Sequence, residues 1–138
     1  MAGKLDNALE MIAAAKKTAE KIGVPMVVSV VDEGGNLVAS QRMDDALLVS
    51  VDVSLNKAYT AVALKAPTEA LATACAPGGE LYGLHTSDNC RIVIFGGGIP
   101  LMQDGKVVGA VGVSGGSVAQ DVQCAEAAVA KFNELMAS

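Results

Sequence analysis

The sequence predicts an α+β domain in which an antiparallel sheet of five short strands is flanked by helices. Two observations lead there. First, the turn signals Asp32-Glu33-Gly34-Gly35-Asn36 and Asp104-Gly105 each lie between β-branched runs, the mark of a hairpin. Second, three long segments repeat apolar residues at three- and four-residue steps, as amphipathic helices do. Hairpins in place of β-α-β crossovers make the strands antiparallel. A length of 138 residues suits a single domain covering residues 1–138.

In chain order, residues 4–22 read as a helix with Leu5, Leu9, Ile12, Ala19 and Ile22 on its apolar face. Gly23 offers a left-handed cap and Pro25 prevents continuation. Strands follow at 26–31 and 37–41. A second helix is expected over 47–65, with Leu48, Val51, Leu55, Tyr59 and Val62 facing inward and Pro67 ending it. Thr68 can cap a short helix that runs through Cys75. Residues 76–90 have no clear period, and irregular segments of this length usually carry function or move. Strands are then expected at 91–95, 99–103 and 106–113, with Gly96-Gly97-Gly98 breaking the first from the second. The turn Ser114-Gly115-Gly116-Ser117 leads into a closing helix striped by Val118, Val122, Ala125, Val129, Phe132 and Met136.

The chain is 51% hydrophobic but only 3% aromatic, too apolar for a comfortable monomer surface, so a homo-oligomer is expected. Disorder is excluded by the same balance. No apolar run is long enough for a membrane span. A formal charge of −5 with no basic cluster argues against nucleic-acid and anionic-lipid partners. The amino terminus carries no secretory h-region, and Cys75, Cys90 and Cys124 are an odd number without a C-x-x-C pair. Reduced thiols in the cytoplasm are the expectation.

Chemistry has few places to reside. Gly109 to Gly116 matches neither the dinucleotide pattern nor the P-loop. Its strand-to-helix turn nonetheless exposes amide donors, so Ser114, Gly115, Gly116 and Ser117 are candidates to hold a carboxylate or phosphate. The competing reading is close packing against the glycines. Gly97 and Gly98 follow a strand of the same sheet and could line the same edge. His85, the only histidine, lies in the irregular segment as a candidate acid/base, metal or haem ligand. The first hairpin carries Asp32 and Glu33, then Arg42 and Asp44 at the exit of its second strand. Neighbouring carboxylates could do acid/base work, but a solvated turn with an Arg–Asp ion pair is expected. Lys57 is taken as a surface lysine. Neither a nucleophile elbow nor an activated thiol is legible.

Taken in order, VSVVDEGGN at 28–36, Arg42-Met43-Asp44, KAYTA at 57–61, GAVGVSGG at 109–116, Gln120-Asp121 and Cys124-Ala125 resemble the GlcG/HbpS family. This group of small haem-binding-like proteins includes the carboxy-terminal domain of PduO, and the resemblance spans almost the whole chain. It implies a profilin-like fold with a five-stranded antiparallel sheet, a homo-oligomer, and a place in glycolate, propanediol or glycerol utilisation. Haem is the cofactor it implies, through a histidine that some members carry on the first helix. Here that helix has none, which leaves His85 as the candidate ligand. Two functions follow. One is a ligand-binding oligomer for haem, a corrinoid fragment or a small organic acid. The other is a small lyase or isomerase with its site between subunits, using the Ser114–Ser117 turn for a carboxylate and Glu33, Asp121 or His85 for proton transfer.

Overall fold

A computed structural model describes residues 3–138. Helix α1 (Lys4–Ile22) ends at Gly23, whose φ of 72° lies in the left-handed region that glycine enters freely. The first hairpin joins β1 (Val27–Asp32) to β2 (Leu37–Arg42). Its turn is built on Asp32, whose Oδ1 accepts the backbone N–H groups of Gly34 and Asn36 at 2.9 and 3.0 Å. Helix α2 (Val49–Leu64) follows, then a 3-10 turn at Thr68–Ala70 that runs into the one-turn helix α3 (Leu71–Ala74). A further 3-10 turn, Leu84–Thr86, interrupts the long irregular segment. The second hairpin joins β3 (Gly98–Gln103) to β4 (Lys106–Ser114) through Asp104 and Gly105, both at positive φ as a tight two-residue loop requires. Helix α4 (Val118–Ala137) opens with a capping box: Ser117 accepts from the Gln120 N–H, and the Gln120 side chain accepts from the Ser117 N–H.

The sheet has four strands in the order β2-β1-β4-β3, every neighbouring pair antiparallel. The expected strand at 91–95 does not form. Ile92 instead buries itself with Leu71 and Cys75, and the Val93 N–H donates to Thr60 Oγ1 at 3.0 Å. A β-branched run makes a strand only where a sheet edge is open to it, and this one is held by α2 and α3.

Helices α1 and α4 cover one face of the sheet, over Val28, Val30, Val111 and Val113. Helix α2 covers the other, over Ser29, Val31, Ala110 and Gly112. The alternation follows from the two-residue period of a strand.

The helices turn only part of the expected stripes inward. Ile12, Ala19, Ala125 and Phe132 are buried and Leu55, Tyr59, Val62, Val129 and Met136 pack against core clusters, while several large residues stay outside. Helix α1 buries Ala8, Met11, Ile12, Ala15 and Ala19, leaving Leu5 and Leu9 exposed. Helix α2 buries Ser50, Ser54, Lys57, Ala58, Thr60 and Ala61, while Leu48 is 73% exposed and Val51 also faces outward. Helix α4 buries Asp121, Cys124, Ala125, Ala128 and Phe132, with Val118 exposed. The cause is steric. An alanine- and glycine-rich contact lets backbones approach closely, and a Cβ on Gly112 would stand 2.0 Å from the Ser54 carbonyl oxygen of α2.

Candidate functional site

Between α2 and the sheet lies a buried polar layer in which each hydroxyl has a partner. Ser29 Oγ bridges Ser40 Oγ at 2.9 Å and Ser54 Oγ at 2.8 Å, and Ser114 Oγ donates to Ser50 Oγ at 3.0 Å. Lys57 occupies the centre of this layer, fully buried, which corrects its assignment to the surface. Its Nζ donates to the Val113 carbonyl and to Asp121 Oδ2, both at 2.8 Å, and lies 5.2 Å from the centroid of the Phe95 ring. Asp121 is itself buried, and its Oδ1 accepts the Gly116 N–H at 2.9 Å. Burial holds the Lys57 ammonium below its ordinary pKa, against the opposing pull of the Asp121 carboxylate.

This arrangement gathers most of the candidate anion-site residues around one charge pair. Gly98 pairs with Gly112 of β4, and the Gly97 carbonyl accepts the Val113 N–H at 2.9 Å. The space beside these glycines is filled by the chain itself: a Cβ on Gly97 would meet Lys57 Nζ at 2.6 Å, and one on Gly98 the Lys57 carbonyl at 2.4 Å. The amides of Gly116 and Ser117 are likewise engaged, by Asp121 and Gln120. The carboxylate at the helix start is thus supplied from within, where the positive end of α4 favours it. One signal for Lys57 was present in the sequence. Ser50, Ser54, Lys57, Ala58 and Ala61 form a small-residue stripe at helical spacing, and Lys57 belongs to it.

His85 belongs to the 3-10 turn, with its ring edge-on to Tyr82 at 5.8 Å between centroids. Its Nδ1 is buried without a hydrogen-bond partner, an arrangement that costs free energy unless a ligand meets it. His85 lines an open groove of about 410 Å³ with Val53, Ile92, Ile94 and Phe95 among its apolar walls and Arg91 as its cation. Arg91 is fixed by stacking 3.4 Å over the Tyr59 ring and by donating Nε–H to Asn56 Oδ1. The segment is also tied down by the Tyr59 hydroxyl, which donates to Asp88 and has its pKa raised by that bond.

The three candidate proton carriers occupy separate environments. Glu33 lies exposed on the first hairpin turn, where the hydrogen bond from Lys4 at 2.5 Å holds its carboxyl below the ordinary range. Asp121 is closed in by Lys57, and His85 belongs to the groove. The expected Arg42–Asp44 pair is replaced by two hydrogen bonds from the Arg42 guanidinium to the Ala46 carbonyl, at 3.1 and 2.8 Å. A backbone turn that brings this carbonyl within reach satisfies the guanidinium fork without a carboxylate. All three thiols are free, and burial pushes that of Cys124 up to about 11. Among the described residues no cluster of three or more metal-ligating side chains forms, and no helix is long and apolar enough to cross a membrane.

A four-stranded antiparallel sheet between a helix pair and a single helix, with a lysine–aspartate pair beneath the glycine-rich turn, makes this an α+β domain. The chain is 36% identical over 104 residues to protein GlcG of Escherichia coli, covering 75% of each. The chain belongs to the HbpS-like family: the family described as haem degrading protein HbpS-like matches residues 4–130. It is similar to an uncharacterized 15.0 kDa protein of the dhaT-dhaS intergenic region of Citrobacter freundii, 54% identical over 131 residues that cover 90% of this chain and 92% of the relative. It is 45% identical over 124 residues to the corrinoid adenosyltransferase PduO of the same organism, covering 90% of this chain but 37% of that protein's length. Among solved structures, a complex of PduOC with haem superimposes with a TM-score of 0.91 at 42% identity, covering 96% of each chain.

Proposed function

We propose that this chain is the subunit of a homo-oligomer that binds haem or a corrinoid-related ligand, in a catabolic system of the propanediol or glycerol type. The observation that carries the reading is the groove at His85: the molecule's sole imidazole, an orphaned ring nitrogen, apolar walls and a fixed arginine occur together. These residues fit a flat, largely apolar macrocycle with acidic substituents. His85 would ligate the metal, Ile92, Ile94 and Phe95 would pack on the ring, and Arg91 would meet a propionate. Haem, when bound, supplies a redox-active iron. Support also comes from the relatives, one solved as a haem complex and another named as a corrinoid adenosyltransferase.

The test is spectroscopic. Titrating haem into the protein is expected to give a shifted Soret band that saturates at one haem per chain. His85→Ala is expected to weaken binding about tenfold or more, the loss of one directional bond. A free-haem spectrum at stoichiometric protein, or equal affinity in parent and variant, would overturn the assignment.

Self-association is supported by what the helices leave outside. Leu47, Leu48 and Val49 are exposed where α2 begins, and Val49 shares a helix face with Asp52, Val53 and Asn56 of the groove. A second copy seated there would cover apolar area and close the groove's open side. Leu48→Asp is expected to raise the subunit dissociation constant about tenfold or more, read by analytical ultracentrifugation. An unchanged mass distribution would count against this face. Three unpaired thiols support a reducing, cytoplasmic setting. The helix pair on one face of an antiparallel sheet supports reading the fold as profilin-like.

A further inference from the structure

On the opposite face of the sheet from the His85 groove, a crevice of about 230 Å³ opens between α1, α4 and the strand ends. Met11, Val30, Leu101 and Phe132 form its buried floor, and Val38 and Val108 its half-buried walls. Its mouth carries Lys4, Asn7, Asp32 and Gln103.

Two features distinguish it from a packing gap. The sheet is irregular on both sides of it: the β1–β2 register shifts between Val30 and Val31, and the β3–β4 register shifts between Leu101 and Met102. Bulges bend strands and re-aim side chains, and they are enriched beside sites. Here both fall on crevice-lining residues. Between them, in β4, Gly109 pairs with Asp32 on one side and Leu101 on the other.

The second feature is the chemistry of the mouth. The Lys4 ammonium is taken by Glu33, and Asp32 accepts from Gly34 and from Asn36. Both charges are therefore engaged, and the neutral amides of Asn7 and Gln103 remain to meet a ligand. We infer that this crevice is a binding site for a small molecule with an apolar body and one uncharged hydrogen-bonding head, such as a medium-chain alcohol or aldehyde. An apolar cavity of about 150 Å³ holds benzene, so this one suits a body of about six to ten non-hydrogen atoms. The site is independent of haem and of His85.

The probe is 1-hexanol, with hexanoate and hexylammonium as charged analogues, added to the full-length protein and followed through the methyl resonances of Met11 and Met136. Saturable shifts of both methyls are expected with 1-hexanol, and about tenfold weaker binding of either ion, because its charge would be desolvated at a mouth where Lys4 is already held by Glu33 and Asp32 already accepts from Gly34 and Asn36. Val108→Phe fills the crevice and is expected to abolish the shifts while leaving the haem titration unchanged. Asn7→Leu with Gln103→Leu preserves the cavity, removes the neutral head contacts and is expected to weaken 1-hexanol about tenfold. Shifts that never saturate, equal affinity for the three probes, or indifference to both variants would overturn the proposal.

Discussion

Asp121→Ala is expected to destabilise the protein by about 3–5 kcal/mol, seen as a lower urea midpoint at unchanged slope. The variant leaves the Lys57 ammonium buried beside a single carbonyl, and it also strips the acceptor from the Gly116 N–H. Lys57→Met combined with Asp121→Asn is expected to restore most of the loss. Methionine replaces the charge with apolar volume, and asparagine Oδ1 still accepts from Gly116. If the single variant lost less than about 1 kcal/mol, the pair would rank with exposed ion pairs.

Lys57 also gives stability an alkaline signature. Burial lowers its pKa from the ordinary 10.5, so the folded chain releases this proton at a lower pH than the unfolded chain does. Between the folded value and 10.5 the unfolded state binds more protons, and stability therefore rises with pH across that window. Below the folded value both states are protonated and the full penalty for the buried charge applies. The stability difference between the parent and Lys57→Met is expected to change in that sense as pH approaches 10.5, and a difference independent of pH would contradict it.

The second large effect is expected from a single methyl group. Gly112→Ala places a Cβ 2.0 Å from the Ser54 carbonyl oxygen and 2.6 Å from the Ala58 nitrogen. Both are backbone atoms of α2, so relief requires the helix to move as a body. The helix carries Lys57 and Ser54, so moving it strains the ion pair and the Ser29–Ser54 hydrogen bond together. The expected loss is about 3 kcal/mol, at the upper end of overpacking costs. Gly3→Ala, whose Cβ meets nothing within 4 Å, is expected to cost at most about 1 kcal/mol, the preference for glycine over alanine at the N-cap of α1. Equal melting of the Gly112 variant and the parent would mean that α2 is not held against the sheet by this contact.

The Gly112 contact explains which parts of the fold were legible. Both hairpins, the Gly23 cap and the positions of α1, α2 and α4 rest on turn chemistry and periodicity within a few residues, and these are local properties. The inward faces of the helices are not local. Leu48 and Val51 look like core residues on a helical wheel, yet the sheet opposite offers Ala110 and Gly112, which admit only small partners. The run at 91–95 failed as a strand for a related reason: its partners proved to be α2 and α3, which no property of the run itself announces.

By itself, then, the sequence determined the class of fold, the hairpins and the resemblance to the GlcG/HbpS family. Only the tertiary structure decided that Lys57 is buried against Asp121, that the chain's own carboxylate meets the amide of the glycine-rich turn, and that His85 lines a groove. Turn and helix signals are encoded in neighbouring residues. The Lys57–Asp121 pair joins residues 64 positions apart, and it exists only because glycines in two strands let a helix come close enough to make it.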